Sequence, residues 1–283
     1  MTAIDIEPLK GWIGRTETLD DTVTPRLAAL FRATLEPHLA PTGEDAPLGV
    51  HWCLAPPLVS TGDLGIDGHP ERGGFLPPIP LPRRMWAGGE IGFFDALRIG
   101  DHVERRSSIA DLRLTEGRSG PLCFVAVRHE VSTERGLAIR ERQDIVYRDA
   151  PQGQNRQPAP ASAAREEQPS ADLAWTVDAS SALLFRYSAL SFNSHRIHYD
   201  QPYATEVEGY PGLVVHGPLQ ATLLLNLAAV LGGGTPRLLR YRGVSSVFGG
   251  KAFRVLGART PAGAECWSAT GEGVIGMKAE AEW

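Results

Sequence analysis

The stretch VVHGPLQATLLLNLAAVLGGG, Val214 to Gly234, constrains this chain more than any other. It is apolar around nearly its whole helical circumference and ends at a run of glycines, the usual stop for a helix. Such a helix has no polar face to give to water, so it must be buried on most sides. No segment of the chain reaches the ~18 consecutive apolar residues of a membrane span, so protein must cover it. The first half of the chain has no counterpart. At the equivalent place it carries HWCLAPPLVSTGDLGIDGHPERGGFLPPIPLP, too rich in Pro and Gly for a helix.

The rest of the chain divides to match. APQGQNRQPAPASAAREEQPSADLA, Ala150 to Ala174, has almost no large apolar residues and reads as a linker. Each half begins with a helical stretch. In the first, Thr24 can cap and Pro25 can occupy the first turn ahead of Leu27, Leu30, Phe31 and Leu35; in the second, the stretch is LLFRYSAL, Leu183 to Leu190. Each half then ends in strand-like runs. These are EIGFFDALRIGDHVERRSSIADLRL, LCFVAVRHEVST and LAIRERQDIVYR in the first, and LLRYRGVSSVFG, KAFRVLGART, ECWSATGEG and VIGMKAEAEW in the second. A faint echo links FFDALRIGD (Phe93 to Asp101) with VFGGKAFRVLG (Val247 to Gly257). A sheet wrapped on one long helix is the hot-dog arrangement, and two in one chain make an α+β double hot dog. The expected division is 1–149, a first hot-dog unit with a degenerate helix; 150–174, linker; and 175–283, the unit that keeps its helix.

Composition narrows the partners. The net charge is −5, and the few lysines, Lys10, Lys251 and Lys278, form no stripe, which argues against nucleic acid or an anionic membrane. Scattered arginines suit discrete anions, because a guanidinium can hold two oxygens at once. Cys53, Cys123 and Cys266 lie far apart with no CxxC pair and read as reduced core thiols. The start, MTAIDIEPLKGWIG, lacks a basic segment followed by an apolar run, so a cytoplasmic protein is expected.

Histidines concentrate in SFNSHRIHYD, Ser191 to Asp200, with His195 and His198, and His216 follows at the start of the apolar helix. Histidine titrates near neutral pH and can move protons. Each could equally be a core imidazole bonded to backbone. His195, His198 and Asp200 could ligate zinc, but no further well-spaced ligands support that, and no metal is expected.

FNSHRIHYDQPYA and VVHGPLQATLLL resemble the active-site segments of the MaoC-like enoyl-CoA hydratases. LPRRMWAGGEIGFFDALRIGD and RSGPLCFVAVRHE are similar to the N-terminal halves of their double hot-dog subgroup, which includes mitochondrial-type hydroxyacyl-thioester dehydratases and hydratases of mesaconyl-C4-CoA and itaconyl-CoA. The resemblance implies that His198 is the catalytic histidine and that Gly217 supplies the oxyanion-hole N–H. It puts Asn193 where the family has a catalytic Asp, with Asp200 and Ala204 at trailing positions. An amide has no useful pKa, so His198 is expected to shuttle the proton alone while Asn193 orients the water. His195 and Asp200 are expected to support the loop. Arg83, Arg84 and Arg196, with Tyr199 and His216, make up the expected substrate-binding set.

The implied reaction is hydration of a short dicarboxylic enoyl-CoA such as itaconyl-CoA or mesaconyl-C4-CoA, giving citramalyl-CoA. Coenzyme A belongs to the substrate, and no cofactor is expected. Dehydration of a 3-hydroxyacyl group on an acyl carrier protein, and noncatalytic thioester binding, are the competing functions. A homodimer is the expected assembly.

Overall fold

The computed structural model describes residues 4–117, 120–149 and 170–283. Its ten strands are β1 (Thr16–Thr22), β2 (Arg83–Phe93), β3 (His102–Gly117), β4 (Gly120–Thr133), β5 (Gly136–Arg148), β6 (Leu173–Asp178), β7 (Leu238–Gly243), β8 (Ala252–Thr260), β9 (Gly263–Thr270) and β10 (Ile275–Glu282). They form a single antiparallel sheet in the order β1-β3-β4-β5-β2-β7-β10-β9-β8-β6. The second five strands repeat the first five in reverse about the β2–β7 seam, where Gly89 faces Tyr241 and Ile91 faces Leu239. The two expected units are thus halves of one continuous sheet.

Among the described residues four α-helices accompany the strands: α1 (Glu7–Lys10), α2 (Pro25–Leu35), α3 (Ser181–Leu190) and α4 (Gly217–Gly232). The constraining stretch forms α4, which packs on β8, β9 and β10 with Leu219 to Ala229 all buried. Each fully buried leucine contributes roughly 1.5–3 kcal/mol. Gly257 of β8 lets the helix approach, since a Cβ there would lie 2.5 Å from Leu227 Cδ2. The helix ends at Gly233, whose φ of 77° is the left-handed cap that glycine adopts without strain.

The first half departs where the sequence does. Ala46 N donates to Leu97 O and Val215 N to Val247 O, both at 2.8 Å, so the chain arrives at equivalent places. From there the second half runs into α4, whereas the first makes two short 3₁₀ turns, Val50–Cys53 and Thr61–Asp63, and puts no long helix on the sheet. The faint sequence echo is a repeated turn. Gly100 and Gly250, with φ of 103° and 80°, precede β3 and β8, and their N–H groups reach Val23 O and Ala179 O.

Three expectations need correction. In each half a strand, β1 or β6, precedes the expected helical stretch. Leu173 and Ala174, read as linker, belong to β6 and pair with Gly257 and Leu256 of β8; most of the expected linker, 150–169, lies outside the described residues. In α2, Thr24 Oγ1 caps Leu27 N at 3.0 Å as expected, but Leu30 faces outward.

Candidate active site

The segment Ser191–Asp200 leaves the end of α3 through Phe192, at φ +50°. Asn193 then turns the chain: its N–H donates to Ser188 O, and its Oδ1 accepts the His195 N–H at 3.0 Å. The single turn Arg196–His198 delivers His198 into the interior. There its Nδ1 donates to Val214 O at 2.7 Å, which leaves Nε2 with the lone pair. Burial pushes His198 down to about 4, so the ring is a neutral base at physiological pH.

The other imidazoles wall this ring in. His216 stacks on it at 3.7 Å between centroids, and His195 meets it edge-on at 5.4 Å. His216 Nε2 lies 2.8 Å from Ser188 Oγ, and burial, then the neighbouring His198 and His195, holds it well below the ordinary histidine range. Immediately after His216, Gly217 opens α4. N–H groups in a first helical turn have no partner within the helix and carry its positive dipole end. Trp86 packs on this glycine, for a Cβ there would lie 2.6 Å from Trp86 Cε3.

The first half contributes two groups that sequence reading missed. Its loop crosses over the histidine segment at Gly68, where a Cβ would lie 2.0 Å from Ser194 O. Arg196 N donates to Asp67 O at 2.9 Å and Ser194 Oγ to Gly68 O. The crossing sets His69 4.1 Å from His195 between ring centroids. Asp67 holds His69 with both oxygens, Oδ1 on its N–H at 3.0 Å and Oδ2 on Nδ1 at 3.1 Å. Burial, then Arg84, takes His69 down to about 4 against the pull of Asp67. Burial pushes Asp67 up, but His69 and Arg84 outweigh it and hold the carboxyl well below the usual range. Asp67, His69 and His195 each bring a possible ligand atom within 4.8 Å of the others. Both Asp67 oxygens face His69, so the pair forms a carboxylate–imidazole dyad. The only signal in sequence was an Asp-Gly-His run inside a loop.

The three arginines separate clearly. Arg83 pairs with Glu208 at 3.0 Å and lies over Tyr210. Arg196 pairs with Asp200 at 2.7 Å and lies 4.2 Å over the Tyr203 ring. Both brace the loop, as does Tyr199, whose hydroxyl donates to Ser194 O at 3.0 Å. Asp200 is drawn to Arg196 and the Tyr203 N–H, away from the histidines. Arg84 has no carboxylate within 4.0 Å among the described residues and lines a cavity of about 1910 Å³ shared by Asn193, His195, His198 and Gly217. A neutral imidazole, a helix-start N–H and a guanidinium without a salt-bridge partner therefore line one space. That set suits proton transfer beside a developing oxyanion.

Comparison with known proteins gives the chain a family and a fold. The family pattern for hydroxyacyl-thioester dehydratase type 2 matches residues 49–249. The mesaconyl-C4-CoA hydratase of Chloroflexus aurantiacus is 49% identical over 220 residues, covering 77% of each chain. A mitochondrial hydroxyacyl-thioester dehydratase type 2 of Schizosaccharomyces pombe is 33% identical over 62% of this chain and 65% of its own. Among solved structures, HtdX of Mycobacterium tuberculosis superposes with a TM-score of 0.66 at 19% identity, over 94% of this chain and 98% of its own. Another Mycobacterium tuberculosis protein, described as a double hot dog, gives 0.53 at 15% identity over 95% and 96%. The double hot-dog fold expected from sequence is thus shown. The chain belongs to the hydroxyacyl-thioester dehydratase type 2 family, within the MaoC-like hydro-lyases.

Proposed function

We propose that this protein hydrates the double bond of a short dicarboxylic enoyl-CoA, with mesaconyl-C4-CoA to citramalyl-CoA as the leading case. The observation that carries the reading is His198, buried and neutral, with Nδ1 fixed on Val214 O so that Nε2 is the basic nitrogen. Nε2 takes a proton from the water that attacks the β carbon and returns it to the α carbon. The Gly217 N–H holds the thioester oxygen as negative charge builds there. Asn193 lines the same cavity, and its amide orients the water. Itaconyl-CoA would first need its double bond moved into conjugation, a proton shift that the same imidazole can perform.

The position of the free carboxylate selects its partner. In mesaconyl-C4-CoA it sits on the β carbon itself, so a cation must lie beside the imidazole cluster. Arg84 does: its charge acts on Asp67, His69 and His195, while Arg83 and Arg196 are spent on Glu208 and Asp200. The mesaconyl-C4-CoA hydratase relative supports this choice of substrate.

Incubation of the pure protein with mesaconyl-C4-CoA, itaconyl-CoA and crotonyl-CoA, followed by product mass, tests the reading. Gain of one water is expected, whereas release of free CoA or no change would refute it. Arg84→Gln should raise KM for mesaconyl-C4-CoA by about 10–100-fold, the worth of a charged hydrogen bond, and barely alter that for crotonyl-CoA. Equal effects on both would remove Arg84 from the carboxylate site.

A further inference from the structure

Where a helix is missing, the inner face of the sheet has changed chemistry, and the strand register shows it residue by residue. Across β6, β8, β9, β10 and β7 lie Leu173, Gly257, Cys266, Ala279 and Tyr241, a mostly apolar row. The equivalent row across β1, β3, β4, β5 and β2 is Glu17, Ser107, His129, Glu141 and Ile91. Arg105, on the same face as Ser107, stands where Val255 stands in the second half. A polar inner face is costly unless its groups are paired.

Most of them are paired. Trp52 Nε1 and Tyr241 OH donate to Glu141 Oε1 at 2.8 and 3.0 Å, and Gln143 bonds both Glu141 and His129. Ser107 Oγ lies 2.8 Å from His129 Nδ1. Two neighbouring groups are left over. His51 is 4% exposed and its Nε2 has no partner, and Arg105 Nε is likewise buried and unpartnered. Arg105 feels Glu17, Glu141 and Asp21 but has no carboxylate within 4.0 Å among the described residues; its Nη1 makes one long bond, 3.4 Å, to Leu54 O. Each buried unsatisfied donor costs about 1–3 kcal/mol, and more for a charged group. Both line the cavity that holds His198 and Gly217. Trp86, packed on Gly217, and Trp52, 5.9 Å from it between ring centroids, stand between the two regions.

We propose that the space left by the missing helix is a carboxylate subsite for the far end of a longer acyl chain. The thioester lies at Gly217, the chain runs past Trp86 and Trp52, and a terminal carboxylate pairs with Arg105 and accepts a hydrogen bond from His51 Nε2. A hydrocarbon tail there would strip water from Arg105 and return nothing. Medium-chain dicarboxylic acyl-CoAs are therefore a second ligand class, distinct from the β-carboxylate that Arg84 meets; the inference rests on the thioester lying at Gly217.

Calorimetric binding of octanoyl-CoA and its ω-carboxylated analogue, saturated thioesters with no double bond to hydrate, tests this without turnover. The native protein should bind the ω-carboxylated thioester at least tenfold more tightly. Arg105→Met should abolish that preference while leaving mesaconyl-C4-CoA hydration unchanged. Arg105→Lys, which keeps the charge, should retain part of the preference and guards against a folding defect in the first variant. No preference in the native protein, or one that survives Arg105→Met, overturns the subsite. Loss of hydration of every short enoyl-CoA by the native protein would instead count against the proposed reaction.

Discussion

The two halves share strand order, yet one wraps a helix and the other only a loop with short 3₁₀ turns at Val50–Cys53 and Thr61–Asp63. The helix-bearing half spends its interior on position. α4 fixes His216 behind His198 and sets Gly217 at a helix start, so the geometry of the proposed site follows from apolar packing. The other half carries polar groups on strands where its twin has Val, Gly, Cys and Ala, the groups proposed above for recognition. The exchange is not one-sided. Asn226, buried in α4, donates to Leu48 O and accepts from Ala40 N, both at 3.0 Å, so the surviving helix holds the loop that replaced the lost one.

Several substitutions would break or sharpen this contrast. Apart from the imidazole itself, the largest effect is expected at Gly217. Gly217→Ala drives a methyl into Trp86 and displaces the oxyanion donor, and steady-state kinetics should show kcat lower by roughly 10²-fold. A native kcat would mean that the donor is elsewhere. Next, Asn226→Leu keeps the shape but orphans Leu48 O and Ala40 N; denaturant unfolding should show a loss of roughly 2–4 kcal/mol. An unchanged midpoint would show that the helix does not brace the first half.

Acid should affect both halves. His51 and His129 are depressed to about 3, His69 and His198 to about 4, each mainly by burial. The unfolded chain therefore binds more protons than the folded one between those values and about 6.5, so stability falls as pH drops through that window. Thermal unfolding at stepped pH should show Tm declining below about pH 6.5, with a shallower slope in His51→Gln. Identical slopes would remove His51 from the acid response. The smallest effect belongs to Asn193→Asp, which keeps the oxygen that accepts the His195 N–H; kcat should stay within about threefold, because an Asn side chain that only orients water is closely mimicked by Asp. A rise of an order of magnitude would show that the site lacks a carboxylate rather than using the amide.

How much of this was legible depended on periodicity and local chemistry. The buried helix, the Thr24–Pro25 start of α2 and most strands announced themselves by apolar patterning or turn residues. The polar strand β1, TETLDDT at the sheet edge, has too few apolar residues to show its alternation. Asp67 and His69 show in sequence only as an Asp-Gly-His run, because the histidine segment they meet lies far along the chain; Gly68 and Ser194 are 126 positions apart. Arg83 and Arg196 looked like anion binders until Glu208 and Asp200 proved to occupy them. Glu141 and His129 sit in strands that read as ordinary alternation, and only the tertiary register shows that these polar side chains face inward.

The central claim is that one buried neutral imidazole, His198, carries both proton transfers. Its most direct test is the kcat of His198→Ala on mesaconyl-C4-CoA, with Tm measured alongside. A fall of roughly 10²–10⁴-fold in a folded protein is predicted; turnover within a few fold of native would contradict it.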